Sequence, residues 1–280
     1  MPLITLLEGP HEPAQLYLDL IKRCLINWIY GETEEKPLKR KGMFQRALVS
    51  ALSARNMRLA RVKPFNAQRR IEGLDWPPSA HTMIGWKRLE NFQYCIETAL
   101  RENIPGDIIE CGVWRGGASI LARAVLKAHG ITNRRVWLAD SFQGLPPPRP
   151  EFPHDAASDL HTNPFLAVSR EQVQRNFERY GLLDEQVQFL EGWFCDTLPA
   201  APLERLAVIR LDGDMYESTM DALTNLYPKL SPGGFLIVDD YGAVPACKEA
   251  IHEFRRLHGI EEKITAIDWA GTFWRKSKIE

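Results

Sequence analysis

The sequence lacks the long apolar runs that membrane proteins need. No stretch among its 280 residues approaches the roughly 18 consecutive apolar residues of a membrane-spanning helix. The N-terminus also lacks a basic segment followed by an apolar run and a cleavage site, which would mark a secretory signal. We therefore expect a cytoplasmic protein that has no membrane partner.

Cysteine is scarce and irregularly spaced. The sequence contains five cysteines, an odd number, and no C-x-x-C pair: Cys24, Cys95, Cys111, Cys195 and Cys247. This pattern gives no indication of zinc or redox chemistry. We expect reduced and mostly buried thiols.

An excess of charge of either sign is also missing, because the net charge is only -1. That balance indicates neither a nucleic-acid partner nor a membrane surface. Charge is nevertheless uneven, since residues 36–71 contain eleven basic residues and no acidic one. We interpret this basic segment as a solvated face or mobile arm, with attraction of an anionic substrate or surface as the alternative.

Length and composition fit one large α/β domain with an appendage. With 45% hydrophobic residues, a chain of this length can bury a substantial core. We assign residues 1–75 to an N-terminal helical cap, partly mobile, and residues 76–280 to the main domain. The cap begins with an amphipathic helix that we expect to end at Gly31. It is either a packing or oligomerisation arm or a lid over the active site.

From residue 107 onward, strand-like apolar runs alternate with helical patterns. Strands are predicted at residues 107–111, 136–139, 187–190, 206–211, 235–238, 263–268 and 271–276. One of the intervening helices is expected to run from Glu217 to Leu230 and to stop at Pro232-Gly233-Gly234. The alternation predicts parallel strands that are joined by crossover helices.

A proline-rich loop over residues 145–164 is too long for a simple connection, so we expect a functional surface loop. It contains His154 and His161, which are the histidines nearest to a plausible substrate region. We interpret each as a surface histidine without a catalytic role.

A glycine-rich turn follows the strand at 107–111, and it differs from a dinucleotide-binding turn. A Rossmann-type turn needs G-x-G-x-x-G to seat a pyrophosphate. Here Glu110 instead precedes Gly112, Gly116 and Gly117. The glycines let the backbone approach a ligand closely, and the carboxylate suits a cationic ligand better than a phosphate. The turn therefore predicts a nucleotide-type site with an unusual acidic lining.

Acidic residues stand at the ends of four predicted strands: Glu110, Asp140, Asp212 and the pair Asp239-Asp240. Ligands of open parallel sheets bind beyond the carboxyl ends of the strands, so these residues are candidates for binding or catalysis. Asp140 stands where a dinucleotide fold holds ribose hydroxyls, and we give it that role. The alternative for Asp140 is a simple capping function in the next turn.

Several long motifs, in a fixed order, resemble those of the macrocin O-methyltransferase family. They are Thr82-Met83-Ile84-Gly85 with Arg88-Leu89, the run from Glu110 to Gly117, the run from Asp140 to Pro146, Asp196-Thr197-Leu198-Pro199, the run from Leu211 to Thr219, and Val238-Asp239-Asp240-Tyr241. The resemblance covers roughly residues 76–275 and leaves the N-terminal segment uncovered. It implies a class I methyltransferase fold, with a mostly parallel seven-stranded sheet and helices on both faces. It also implies an S-adenosylmethionine-dependent and metal-dependent sugar O-methyltransferase of antibiotic biosynthesis.

The resemblance further implies which residues bind the cofactor S-adenosylmethionine. Its methionine and ribose parts would contact Thr82, Met83, Glu110, Cys111, Gly112, Val113 and Trp114. Its ribose and adenine edge would contact Asp140, Ser141, Phe142, Gln143 and Gly144. The adenine ring would lie beside Gly192, Trp193 and Phe194, for which an ordinary place in the core is the alternative.

The same resemblance implies a metal site at the ends of two strands that the family places side by side. Asp212, Asp239 and Asp240 match the family's metal ligands, and Asp212 also matches its proposed general base. Carboxylates that close repel one another unless a cation joins them, and oxygen ligands favour Mg²⁺ or Mn²⁺ over zinc. Capping and solvated turn acids are the alternative, and Asp214 is the candidate base should Asp212 not serve.

The sequence therefore predicts methyl transfer from S-adenosylmethionine to a sugar hydroxyl of a glycosylated natural product. We expect a homo-oligomer that binds a small-molecule glycoside and no nucleic acid. A catechol-type O-methyltransferase would meet the same metal requirement. An NAD-dependent dehydrogenase and a non-catalytic subunit are less well matched, because the sequence lacks G-x-G-x-x-G and retains the metal-type carboxylates.

Overall fold

A computed structural model of the chain describes residues 12–37, 42–57, 60–62 and 64–277. The first part consists of helix α1 (Pro13–Leu25), strand β1 (Glu35–Pro37), helix α2 (Met43–Ser53), strand β2 (Ala60–Val62) and helix α3 (Ala67–Ile71). β1 and β2 pair as a short antiparallel ribbon. Of the predicted cap, residues 1–11 lie outside the described residues, as do the basic residues Lys39, Arg40, Lys41, Arg58 and Lys63.

The main domain alternates helices and strands, as the sequence predicts. Its elements are α4 (Gly85–Arg101), β3 (Asp107–Cys111), α5 (Gly117–Ala128), β4 (Val136–Asp140), α6 (Arg170–Arg179), β5 (Val187–Glu191), α7 (Phe194–Thr197), β6 (Leu206–Leu211), α8 (Tyr216–Leu226), β7 (Leu230–Val238), α9 (Pro245–Leu257), β8 (Thr265–Ala266) and β9 (Thr272–Arg275). None of the helices that the structure describes is both long and apolar enough to cross a membrane.

Seven strands form one sheet in the order β5-β4-β3-β6-β7-β9-β8. The first five are parallel, and β9 runs antiparallel to both β7 and β8. This mixed sheet confirms the predicted class I methyltransferase fold. Along the chain, β3, β4 and β5 extend the sheet from its middle in one direction, and β6 and β7 then extend it in the other. The space between the ends of β3 and β6 is therefore the switch point at which such sheets bind ligands.

The two faces of the sheet bury separate hydrophobic cores, because successive strand residues point to opposite faces. Ile108 of β3 packs with α1, α4 and α5, whereas Ile109 packs with α8 and α9. Both side chains are almost completely buried. The sheet is thus covered by helices on each side, which leaves its strand ends as the place for a ligand site.

Helix α1 belongs to the first of these cores. Leu18 and Leu25 are fully buried in the same cluster as Leu89 of α4 and Leu121 of α5. The predicted boundary at residue 75 therefore does not separate α1 from the main core. The predicted helix end at Gly31 is wrong. α1 ends at Leu25. In the turn that follows, the carbonyl groups of residues 26 and 27 accept hydrogen bonds from the Arg70 guanidinium.

Several further predicted boundaries are wrong in the C-terminal half. α8 ends at Leu226 because Pro228 has no N–H to continue the helix, and a single 3-10 turn leads into β7. Pro232-Gly233-Gly234 consequently lies inside β7. The closing strands are shorter than predicted, because the Asp268 carboxylate accepts the N–H groups of Ala270 and Gly271 and forms the turn between them.

Candidate active site

A cavity of about 580 Å³ lies beyond the carboxyl ends of β3, β4, β6 and β7. This volume falls within the range of about 300–1,000 Å³ that is usual for small-molecule sites. The cavity brings together predicted residues from all parts of the chain: Thr82, Met83, Glu110, Gly112, Val113, Trp114, Asp140, Ser141, Gly144, Gly192, Trp193, Phe194, Asp212, Asp239 and Asp240. Trp193 and Phe194 are half-buried, and Phe194 also packs against the hydrophobic core that faces α8 and α9.

Three of the predicted cofactor contacts do not line this cavity. Cys111 is fully buried on the side of the sheet that faces α8 and α9, because it points opposite to Glu110 along the strand. Phe142 packs on Phe189 at a ring distance of 5.9 Å, and Gln143 is exposed to solvent. Motif membership had suggested contact for all three, but strand alternation and the turn geometry direct their side chains elsewhere.

The turn after β3 depends on glycine at position 112. Gly112 has a φ of 88°, and a Cβ there would lie 1.8 Å from the carbonyl oxygen of Asp212. Only a residue without a side chain allows the two strand ends to come this close. The glycine-rich turn is therefore held directly beside the start of the acidic cluster.

Asp140 secures the same turn through its carboxylate. Its Oδ2 accepts the N–H of Val113 at 2.6 Å, and its Oδ1 accepts the N–H of Phe142 at 2.7 Å. Burial raises the pKa of Asp140, while these backbone donors act in the opposite direction. The capping alternative is thus present in the structure. Binding of ribose hydroxyls by Asp140 stays a prediction.

Glu110 is directed into the protein to a greater extent than the sequence suggested. The residue is only 2% exposed. Its Oε1 accepts a hydrogen bond from Arg210 at 2.7 Å, and its Oε2 accepts one from the Ser119 hydroxyl. Burial raises the pKa of Glu110 to about 7, and Arg210 and Ser119 only partly offset this effect. The Glu110 carboxylate is therefore already paired with a cationic side chain of the protein, Arg210.

Arg210 is the main residue that sequence reasoning missed. It lies in β6, is 1% exposed, and donates from Nη1 to Glu110 and, at 2.8 Å, to Asp212. Its Nη2 donates to Asp239. The sequence did contain a signal, because an arginine inside an otherwise apolar strand needs buried acidic partners.

A second arginine, Arg88 of α4, also reaches the acidic cluster. It donates to Asp239 and, at 2.8 Å, to Asp268 in the turn before β9. Burial opposes the charge of Arg88, but Asp239 and Asp268 raise its pKa overall. The two arginines fix the orientation of Asp239 from both sides.

Asp212, Asp239 and Asp240 meet at the adjacent ends of β6 and β7. One oxygen can be chosen from each carboxylate so that all three lie within 4.8 Å of one another. Burial and the Asp239 charge raise the pKa of Asp212 to about 6, and burial and Asp212 raise that of Asp214 to about 7. Burial, followed by Asp214 and Asp212, raises the pKa of Asp240 well above its usual range. A cluster of this kind favours either bound protons or a bound cation.

The composition of the cluster fits a hard divalent cation. Two guanidinium groups, from Arg88 and Arg210, stand against six carboxylates: Glu110, Asp212, Asp214, Asp239, Asp240 and Asp268. Once these carboxylates are ionised, their negative charge exceeds the positive charge of the two guanidinium groups at a place where three oxygen ligands converge. Mg²⁺ and Mn²⁺ prefer such oxygen ligands.

The rest of the cavity wall is also acidic, and its rim is aromatic. Across the cavity, Asp196, Glu217 and Asp221 contribute carboxylates, of which Glu217 pairs with Arg149. Burial and the nearby Glu217 raise the pKa of Asp221 to about 6. Trp76 and Trp269 are large, exposed and part of the cavity wall. The site thus combines an acidic interior with apolar surfaces at its edge.

Comparison with known proteins identifies close relatives of this chain. The family model described as macrocin-O-methyltransferase (TylF) matches residues 14–276. The match includes α1, which corrects the expectation that the resemblance leaves the N-terminal segment uncovered.

Two curated relatives and one solved structure match nearly the whole chain. The chain is 53% identical over 266 residues to the 8-demethyl-8-(2,3-dimethoxy-alpha-L-rhamnosyl)-tetracenomycin-C 4'-O-methyltransferase of Streptomyces olivaceus, covering 94% of each chain. It is 50% identical over 273 residues to the mycinamicin III 3''-O-methyltransferase of Micromonospora griseorubida, covering 96% of this chain and 99% of the relative. The structure of the O-methyltransferase NovP is 46% identical, with a TM-score of 0.83 and coverage of 95% and 100%.

Proposed function

Because this chain belongs to the macrocin O-methyltransferase family, we propose that it transfers the methyl group of S-adenosylmethionine to a sugar hydroxyl of a glycosylated small molecule with the help of a divalent cation. It is an O-methyltransferase, and its relatives are named for the methylation of sugars on antibiotics. The observation that carries the proposal is the convergence of Asp212, Asp239 and Asp240 in the cavity that also contains the glycine-rich turn. Membership of this family gives no support to the alternative function, that of an NAD-dependent dehydrogenase.

We assign the methyl donor to the half of the cavity beside β3 and β4. The backbone of the turn at Gly112 and the carboxylate of Asp140 face this half, and Thr82 and Met83, in the segment just before α4, also line the cavity. Trp193 offers a half-buried aromatic surface that suits the adenine ring. The positive sulfonium is compatible with a wall whose charged groups are mostly carboxylates.

We assign the cation to Asp212, Asp239 and Asp240. When bound, a divalent cation supplies Lewis-acid chemistry, because it lowers the pKa of a hydroxyl group and favours an acceptor with two neighbouring oxygens. The arginines support this role by a different route. Arg88 and Arg210 hold Asp239 from both sides and so keep one ligand oriented before the ion arrives.

Asp212 is the group that we expect to take the proton. Its side chain is 26% exposed, whereas that of Asp239 is 5% exposed, so Asp212 presents more of its carboxylate to the cavity. In the cation-free protein burial raises the pKa of Asp212 to about 6, and a bound cation would favour the ionised carboxylate that can accept a proton. In the reaction, the acceptor oxygen forms a bond to the methyl carbon while the carbon–sulfur bond breaks. The electron pair of the broken carbon–sulfur bond stays on the sulfur of S-adenosylhomocysteine, and the hydroxyl proton passes to Asp212.

The charge of the cavity indicates which form of sugar it accepts. Its wall contains two arginines, Arg88 and Arg149, and nine carboxylates: Glu110, Asp140, Asp196, Asp212, Asp214, Glu217, Asp221, Asp239 and Asp240. Such a wall repels the diphosphate of a nucleotide sugar. A neutral or cationic glycoside is favoured, and the exposed rings of Trp76 and Trp269 suit an apolar aglycone at the rim.

Two substitutions of neighbouring carboxylates test the assignment of the base. We expect Asp212→Asn to lower kcat by about 100-fold or more, because a positioned base contributes roughly 10²–10⁴ to the rate. Asp214→Asn is the matched control, since it changes an adjacent buried acid without removing a proposed ligand. We expect it to retain kcat within about tenfold, and both variants to keep nearly normal affinity for S-adenosylhomocysteine in calorimetry. The reverse ranking of the two kcat values would transfer the role to Asp214.

A further inference from the structure

The loop between β4 and α6 forms one wall of the cavity. Its residues Leu145, Pro146, Pro147, Arg149, Leu160 and Leu166 line it. Near the middle of this loop, Asp155 is only 1% exposed, although its neighbours His154 and Ala156 are exposed. A buried carboxylate within a surface loop requires strong hydrogen-bond partners, because burial of an unpaired charge is costly.

The partners of Asp155 are backbone groups of helix α8. Its Oδ1 accepts the N–H of Tyr216 at 2.7 Å, and its Oδ2 accepts the N–H of Glu217 at 3.0 Å. These are the first residues of α8, and the residue before the helix, Met215, makes no side-chain capping bond. The first N–H groups of a helix have no partner within it and carry partial positive charge. Asp155 therefore caps α8 from a distant part of the chain.

Other loop residues contact the same helical turn. The Arg149 guanidinium pairs with the Glu217 carboxylate, and the His154 ring stacks on the Tyr216 ring at 4.6 Å. The Arg149 side chain is half exposed, so its contribution is screened by solvent. Among the three loop residues that make these contacts, only Asp155 is itself buried. We call Arg149, His154 and Asp155 the loop anchor.

The helical turn that receives the loop anchor continues directly from the acidic cluster. Asp214 adopts a φ of 57°, and its N–H donates to Asp240 at 3.1 Å. Asp212 follows the last residue of β6 and lies two residues before Asp214. Helix α8 begins at Tyr216, two residues after Asp214. Asp155 thus ties the loop to the segment that carries the proposed base.

We propose that Asp155 is a positioning residue for acceptor binding. It holds the loop between β4 and α6 at a fixed place relative to Asp212, so that the loop forms a defined wall for the acceptor. The proposal rests on the function proposed above and deepens it, since it names what shapes the acceptor half of the cavity. The loop anchor contacts α8 and not the turn at Gly112, whereas a later part of the loop meets the donor side, where the Phe165 carbonyl accepts the N–H of the Trp114 ring at 2.8 Å.

Two substitutions at Asp155 and one elsewhere in the loop test the proposal. In Asp155→Ala, we expect hydrogen–deuterium exchange to rise in residues 145–166 and at the start of α8, with rates elsewhere unchanged. The KM for the acceptor should rise about tenfold, which corresponds to the loss of a good helix cap. The Kd for S-adenosylhomocysteine should stay within twofold. Asp155→Asn should lie between wild type and Asp155→Ala, because an amide oxygen can accept one of the two bonds.

Asp159→Ala is the matched control, because Asp159 is an exposed acid of the same loop. It should leave exchange, acceptor KM and ligand affinity at wild-type values. Unchanged loop exchange in Asp155→Ala would overturn the proposal. So would a parallel loss of acceptor binding, ligand binding and exchange protection throughout the protein, which would mean that Asp155 only stabilises the fold. The exchange measurement needs no turnover, so a failure of the proposed function is distinguishable from a failure of this anchor.

Discussion

At the scale of single residues, Arg210 joins three carboxylates that come from separate parts of the chain. Its guanidinium lies against Glu110, Asp212 and Asp239 in the buried floor of the cavity. Burial opposes the charge of Arg210, but Asp239 and Asp212 outweigh it and raise the pKa. The same residue therefore holds the sheet ends together and orients two of the three proposed metal ligands.

Replacement of Arg210 should destabilise the protein strongly. Arg210→Met leaves buried carboxylates without their partner, and we expect the free energy of unfolding in urea to fall by about 3–5 kcal/mol. Arg205→Met is the control, because Arg205 is exposed just before the same strand and should change stability by no more than about 0.5 kcal/mol. Equal unfolding midpoints for the two variants would contradict a role for Arg210 in stability.

The acidic cluster should also make the metal-free protein sensitive to pH. Burial raises the pKa of Asp212 to about 6 and that of Asp214 to about 7. A pKa raised in the folded state means that folding favours the protonated form. This stabilisation is complete below the ordinary value of 3.8 and is lost as pH rises toward 7. Cation binding instead requires the ionised form.

Mg²⁺ should therefore stabilise the protein more at higher pH. We expect the Tm in EDTA to fall between pH 5 and pH 7.5, and the increase in Tm on addition of Mg²⁺ to grow over the same interval. Calorimetry at three pH values provides the measurement. An increase in Tm that is independent of pH would show that the cation does not compete with protons at these carboxylates.

The acids of this site could be predicted from the sequence, whereas their partners could not. Asp212, Asp239 and Asp240 end strands, and strand ends form ligand sites in any open parallel sheet. The pairing of Glu110 with Arg210 depends instead on which strands become neighbours, because the two residues are 100 positions apart. The side-chain directions of Cys111, Phe142 and Gln143 likewise depend on local geometry that a motif does not specify.

At the scale of elements, the turn between β3 and α5 is tightly constrained by the backbone that lies against it. Gly112→Ala would place a Cβ 1.8 Å from the backbone of residue 212, at a φ of 88°. Because that neighbour is backbone, the two strand ends would have to move apart. We expect the variant to lose measurable binding of S-adenosylhomocysteine and to unfold at a lower urea concentration.

Gly130→Ala is the control that distinguishes the effect of the close contact at Gly112 from the effect of backbone strain. Gly130 also has a positive φ, of 64°, but nothing lies within 4 Å of the position of a Cβ. Its substitution should cost only about 1–2 kcal/mol of left-handed strain and leave ligand binding unchanged. If both variants bind the ligand equally well, the contact between the ends of β3 and β6 is not what shapes the site.

The order of the elements was predictable because hydrophobic periodicity is a local property. Strands β3, β4, β5 and β6 lie close to their predicted positions. Element ends were less predictable, as the early end of α8 and the inclusion of Pro232 in β7 show. The loop between β4 and α6 was recognised only by its length, since its anchor to α8 depends on contacts between distant residues.

At the scale of the whole molecule, the N-terminal segment is divided between core and surface. An amphipathic pattern predicts that α1 covers an apolar surface, but it does not say which one, and the structure shows that α1 covers the main core. In contrast, Met43, Met57 and Val62 around α2 and β2 are exposed. A role of this region as a lid, and assembly into a homo-oligomer, stay predictions.

The proposed reaction moves a methyl group from S-adenosylmethionine to a sugar hydroxyl and depends on a divalent cation. Its most direct test is an assay with methyl-labelled donor and four acceptors: a glycoside with neighbouring free hydroxyls, the same glycoside lacking one of them, a nucleotide sugar and a catechol. We expect labelling of the first glycoside above the other three, loss of labelling in EDTA, and recovery with Mg²⁺. Labelling that survives exhaustive EDTA treatment, or that favours the nucleotide sugar, would contradict this account.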